Sequence, residues 1–155
     1  MRWRIVIWIT IQATRLSGTL IRKREQIYEF EEFSTMPMGS LGRTYYETLI
    51  FEELTFQPNL IRHDLKHVLL DYSMAIKDEL KIHAFLIGNQ SYNPLAILYL
   101  LLCLTIVPEM IPALRHDFKR GKKTPSLRMI NLNDWLLKDM KECRHQLKIH
   151  PNICS

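Results

Sequence analysis

An all-α fold follows from three features of this 155-residue sequence. Apolar residues recur at helical spacing, clearest at Ile61, Leu65, Val68 and Leu69. Residues that start or stop helices stand between the apolar stretches. The apolar content of 47% against 24% charge suits a chain that buries a core and excludes a solvated coil. The expected architecture is a single-domain helical bundle spanning residues 1–155.

Taken in order, Arg2 to Thr14 are too apolar all round for a surface helix, so this first element is buried or interfacial. Its charged start and Ile5–Ile11 stretch loosely resemble a signal peptide. The early Arg15 and the β-branched residues with Trp read better as a packed element. Polar Arg22–Gln26 leads into Ile27–Phe33, whose alternation suits a short strand or an amphipathic turn. Pro37, Gly39 and Gly42 mark a break. Tyr45–Leu54 reads as a helix with its acids outward, Pro58 breaks the chain again, and Asn59 is an N-cap for the helix from Leu60. That helix ends or bends at Tyr72-Ser73. The next, about Ala75 to Ile87, closes at Gly88-Asn89. Asn93-Pro94 starts a third, with Pro where a missing N–H costs nothing. Leu95–Val107 is apolar on every side, so it must face protein or a lipid-like ligand around its circumference. Asn133 is read as the cap of a last helix, Asp134–Lys148.

The net charge of +5 is uneven: residues 115–155 carry +6, concentrated in Arg115–Lys123. Such a patch favours anionic lipid or nucleic acid, or is an ordinary solvated surface. Three cysteines (Cys103, Cys143, Cys154), without a Cys-x-x-Cys pair, argue against a disulfide framework and point to a reducing compartment. The longest uncharged apolar run, Leu95–Val107, is shorter than the roughly 20 residues a spanning helix needs. No Gly-x-Ser-x-Gly elbow, Gly-x-Gly-x-x-Gly loop or Walker loop occurs, so acyl-transfer triads and nucleotide cofactors find no support.

His63-Asp-Leu-Lys-His67 carries the chemistry. At about 100° per residue, His63, Asp64 and His67 share one helix face, and Asp71 falls on the same arc. Two imidazoles four apart can grip one ion, and Glu79, twelve residues after His67, comes from the following helix. Two neutral histidines and two carboxylates form a net-neutral set around a divalent cation, which lowers the cost of placing charge beside apolar surface. Mixed N/O ligation suits Zn²⁺, with Mn²⁺ or Fe²⁺ as alternatives. The competing view is a capping Asp with two helix-surface histidines. His83, four after Glu79, shares its helix face and could extend the site, with ordinary helix-surface hydrogen bonding the favoured reading; His116, His145 and His150 read as incidental.

The gapped pattern His63-Asp-x-x-His67 with Glu79 resembles the family of the fourth protein of coenzyme Q (ubiquinone) biosynthesis. Pro37–Gly42 before Tyr45-Tyr46, Arg62, Glu79-Leu-Lys, Arg120-Gly121, Asp134-Trp135 and Leu147-Lys-Ile149 are similar to its flanking segments, so the resemblance covers about residues 35–150. Where many members continue the motif with Thr-Gly, this chain has Leu70-Asp71, an extra carboxylate beside the expected metal. With no transit-peptide-like start, the chain resembles the bacterial branch. The resemblance implies an all-α fold, a bound divalent metal (usually zinc) and peripheral attachment to a membrane. It also implies removal of the ring carboxyl of a prenylated hydroxybenzoate, oxidative or not, or organisation of the enzymes that do so. The ligands are then His63, Asp64, His67 and Glu79, with Asp71 beside them as a second-layer or proton-transfer group. Expected partners are the prenylated quinone precursor, other quinone-biosynthesis proteins and the inner face of a bacterial cytoplasmic membrane. A homodimer is an assembly the sequence allows without specifying, and nucleic acid is not among the expected partners.

Two other readings compete. In one the protein is a non-catalytic prenyl-lipid scaffold with a structural metal. In the other it is a zinc hydrolase, disfavoured because Asp64 is one methylene shorter than the Glu of zinc proteases. The His-Asp phosphohydrolases need a histidine upstream, and none precedes His63.

Overall fold

The computed structural model describes residues 1–20 and 28–149. Arg22–Gln26, Ile27, His150 and Cys154 lie outside them. The fold is all-α: among the described residues there are eight α-helices, four short 3₁₀ turns and no strand. Its contacts divide the chain into two compact units, the first from Met1–Arg22 and Ala75–Ile130, the second from Lys23–Met74 and Asn131–Ser155. Each unit is therefore closed by segments distant in sequence.

The first unit holds α1 (Arg2–Leu20), α5 (Ile76–Gly88), α6 (Pro94–Ile106) and α7 (Ile111–Lys123). Val6, Leu80, Ala84, Tyr99, Cys103, Val107, Met110 and Leu114 form its core. As expected, α6 starts at Asn93, whose Oδ1 accepts from Leu95 N at 2.6 Å and Ala96 N at 3.3 Å. α5 ends where the sequence closes it, with Gly88 its last residue and Asn89 its C-cap. Gly88 has a second role: a Cβ there would meet the Phe118 backbone carbonyl, while a Cβ on Gly121 of α7 would meet that of Phe85. These reciprocal glycines let α5 and α7 touch backbone to backbone. The amide of Asn89 then closes the end of α5. It donates to Gly121 O (3.2 Å), Thr124 O (2.8 Å) and Pro125 O (3.1 Å), and accepts from Leu127 N (2.8 Å) and Ser91 Oγ (2.8 Å).

The apolar helices do not bury their whole circumference. Leu95, Leu98, Leu101 and Leu102 of α6, and Ile5, Trp8 and Ile11 of α1, remain about half exposed. α1 is thus partly buried, with Val6 in the core and a half-exposed apolar side, rather than buried throughout. No single helix among the described residues is long and apolar enough to cross a membrane; α6 and the stretch from Pro108 through α7 are apolar enough only together, and the chain bends by 113° between them.

In the second unit, α2 (Phe30–Ser34) is a short helix where the sequence allowed a strand. Its capping box, between Glu29 and Glu32, outweighs an alternation too brief to recruit a partner strand. α3 (Leu41–Phe51) starts at Ser40, whose hydroxyl accepts from Arg43 N, after a turn in which Gly39 takes φ +77°. Phe33 packs edge-on against Tyr45 at 5.2 Å, and Phe56 lies 5.9 Å from Phe33, so α2 and α3 share an aromatic core. α4 (Ile61–Leu70) follows a 3₁₀ turn, Pro58–Leu60. Asn59 lies inside that turn, and Leu60 takes the cap position without a side-chain bond. The last helix, α8 (Met140–Gln146), is shorter than expected. Asn133 falls in a 3₁₀ turn, Leu132–Trp135, and the cap is Asp139, whose Oδ1 accepts from Lys141 N at 2.8 Å and Glu142 N at 3.2 Å. An isolated bridge, Ser40 with Asp139, ties α8 to the start of α3.

Candidate metal centre

The second unit supplies the histidines. α4 forms because Ile61, Leu65, Val68 and Leu69 make one apolar stripe that is buried throughout. The i, i+4 spacing then stacks His63 over His67, with ring centroids 4.8 Å apart and Nε2 atoms 3.1 Å apart. His67 is buried, at 1% exposure, and His63 is half-buried. The Nδ1 of His67 lies 2.9 Å from the carbonyl oxygen of Ser73. A carbonyl can only accept, so Nδ1 carries the hydrogen, and it is Nε2 that is left to offer a lone pair on the side facing His63. Metal-binding histidines are commonly oriented in this way, one nitrogen held by a carbonyl and the other free to ligate. The residues present therefore fit a divalent cation by the chemistry of their donors.

Asp64 shares the histidine face but has a partner of its own: the Tyr45 hydroxyl donates to Asp64 Oδ2 at 3.2 Å. Burial first, and then the negative carboxylate it bonds to, push the Tyr45 phenol well above its ordinary value. Asp71 is placed at the C-cap of α4 with φ +65°, its carboxylate 3.2 Å from the Arg144 guanidinium. Arg144 also donates to the backbone carbonyls of Leu69 (3.0 Å) and Val68 (2.9 Å).

Glu79 belongs to the first unit, in the first turn of α5, where the helix dipole favours a carboxylate. As the sequence suggested for His83, its Nε2 bonds Glu79 Oε1, at 3.1 Å. The His83 ring meets Tyr99 edge-on at 4.9 Å, and Tyr99 Oη lies 2.8 Å from Thr10 Oγ1. Thr10 uses its single proton on the Val6 carbonyl (2.9 Å), so the tyrosine donates to it. Burial raises the Tyr99 phenol, and burial likewise raises the Cys103 and Cys143 thiols.

His116 and His145 are exposed, as expected. Asp117, beside His116, is instead buried. Ser73, Tyr45 and Arg144 went unread as site residues. Ser73 contributes only a backbone oxygen, while Arg144 lies 75 residues from Leu69, whose carbonyl it meets. The first unit also has an open surface groove of about 330 Å³, lined by Ile87, Leu100, Leu104, Leu114 and Phe118 with Arg115 as its charged group.

No protein-family model matches the chain, and no curated protein does. The fold is similar to that of a candidate ubiquinone biosynthesis protein from Nostoc punctiforme PCC 73102, solved by crystallography, with a TM-score of 0.64. The two chains are 16% identical over 94% of this chain and 81% of that one, so the likeness is one of fold.

Proposed function

We propose that the chain is a metal-binding protein of quinone biosynthesis that removes the ring carboxyl of a prenylated hydroxybenzoate at a membrane surface. The His63–His67 pair carries the reading: two Nε2 atoms 3.1 Å apart, one fixed as a lone-pair donor by the Ser73 carbonyl. In the proposed site both imidazoles give nitrogens to a divalent cation, with the carboxylate oxygen that the His63-Asp-x-x-His67 pattern calls for, and zinc is the best match to such a mixed N/O set. Asp64 stands beside them and adds negative charge, held in place by Tyr45. A cation there would act as a Lewis acid towards an anionic aromatic head. In the reaction the bond from the ring carbon to the carboxyl breaks, carbon dioxide leaves, and a proton takes its place. The open apolar groove suits part of a prenyl tail in its lining, and its Arg115 suits an anionic group. Half-exposed Trp8, Leu98 and Leu101, with the basic residues Arg115, Lys119, Lys122 and Lys123 exposed on α7, support docking to the anionic inner face of a cytoplasmic membrane.

Metal analysis of the purified protein, combined with extraction of co-purifying lipid, tests the reading directly. One equivalent of zinc, absent from His63→Ala and His67→Ala, is expected. Deleting the gene is expected to make a prenylated, still-carboxylated precursor accumulate; an unchanged quinone profile removes the assignment. If the metal is a fold-holding element of a scaffold, chelation lowers the Tm sharply and precursor does not accumulate.

A further inference from the structure

We propose that Arg144 is a positioning residue for His67, acting through the left-handed turn that ends α4; this rests on the reading of His67 as a metal ligand. In this turn Asp71 has φ +65°, a left-handed conformation that costs a residue with a Cβ more than it costs glycine. Two backbone bonds close it, Tyr72 N to His67 O at 3.0 Å and Asp71 N to Val68 O at 3.4 Å. Reversed in this way, the chain brings the Ser73 carbonyl back over the helix to within 2.9 Å of His67 Nδ1. The group that fixes the ring is therefore a product of the turn and not of α4 itself.

Arg144 fastens that turn from α8. Its Nε donates to Leu69 O at 3.0 Å, and its Nη2 donates to Val68 O at 2.9 Å and to Asp71 Oδ1 at 3.2 Å. Two of the final carbonyls of α4 and the carboxylate of the left-handed residue are thus held by one planar group. A lysine ammonium, a single point at the end of a flexible stem, cannot span that arrangement. Arg144 is itself placed by the Asp139 cap at the start of its helix. Asp71, read from the sequence as a group near the metal, belongs in this arrangement to the clasp that shapes the turn.

The test uses the full chain with two readouts. Without metal, long-range ¹⁵N–¹H spectra of the histidine rings report the His67 tautomer. With metal, Zn²⁺ titration reports affinity. Wild type is expected to show Nδ1–H at His67. Arg144→Ala is expected to show mixed tautomers and a Zn²⁺ affinity lower by about ten- to a hundredfold, the range for loss of an orienting partner. Adding Asp71→Gly to that variant is expected to restore both, because glycine adopts the left-handed turn unaided. Restoration separates a role through the turn from a general contribution to folding. If Arg144→Ala does not fold, Arg144→Lys carries the test, with the same two losses expected. A variant that folds and keeps both the wild-type tautomer and affinity overturns the proposal. Failure of wild type to bind Zn²⁺ overturns the metal reading alone, since the tautomer readout still tests Arg144.

Discussion

Tyr45 and Tyr99 share a physical situation: each is a buried phenol whose hydroxyl donates to a partner, Asp64 for the first and Thr10 for the second. Both hold their protons above the ordinary value near 10. In the unfolded chain they ionise from about pH 10, while in the folded protein they stay neutral. The unfolded state then binds fewer protons than the native state, so stability falls as pH rises. Their contribution is complete below pH 10 and is lost on the alkaline side, at up to about 1.4 kcal/mol per pH unit for each residue. Urea unfolding between pH 8 and 11.5 is expected to show this decline, with a shallower slope in Tyr45→Phe and in Tyr99→Phe. At this scale the histidine pair was legible in the sequence because i, i+4 spacing alone puts two rings on one face. The Ser73 carbonyl was illegible, because a backbone oxygen has no signature in sequence and depends on a left-handed residue that is not glycine.

Helix ends were harder to read than helix faces. Asn93 and Asp139 both cap through their side chains, yet only the first announced itself, helped by the Pro94 beside it. In the last segment Asn133 precedes Asp139 by six residues, and the sequence offers no means of knowing that a 3₁₀ turn intervenes. For α6 the difficulty is different. Where every residue is apolar, periodicity disappears, so the exposed side at Leu98 and Leu101 could not be told from the side facing Cys103. The contact between α5 and α7 gives this scale its prediction. Gly121→Ala directs a methyl group at the Phe85 carbonyl, and neither the backbone nor a rigid helix can yield far. A loss of about 3 kcal/mol is expected, read as a lower denaturation midpoint at unchanged m-value.

At the scale of the whole chain, the all-α class followed from composition and periodicity, while the split into units made of non-contiguous segments did not, because pairings between distant helices leave no local trace. The first unit concentrates exposed apolar side chains on α1 and α6 and cationic ones on α7. Its proposed attachment to lipid has a direct measure, co-sedimentation with vesicles of phosphatidylcholine and phosphatidylserine. Leu98→Glu with Leu101→Glu is expected to weaken binding by about tenfold or more while leaving the helical circular dichroism unchanged, since both positions are over half exposed. Raising salt is expected to weaken the wild type as well, through screening of α7. Equal binding by the variant would remove the lipid surface from the proposal. The glycines at 88 and 121 also act at this scale. With backbone against backbone, α5 has no slack to slide along α7, because a slip of one residue drives a side chain into a gap sized for hydrogen. Glu79 stands nine residues further up the same rod, about 13 Å away at 1.5 Å per residue. Its height is thus set at a joint remote from any ligand chemistry. A change meant to move that carboxylate along α5 will meet resistance there first.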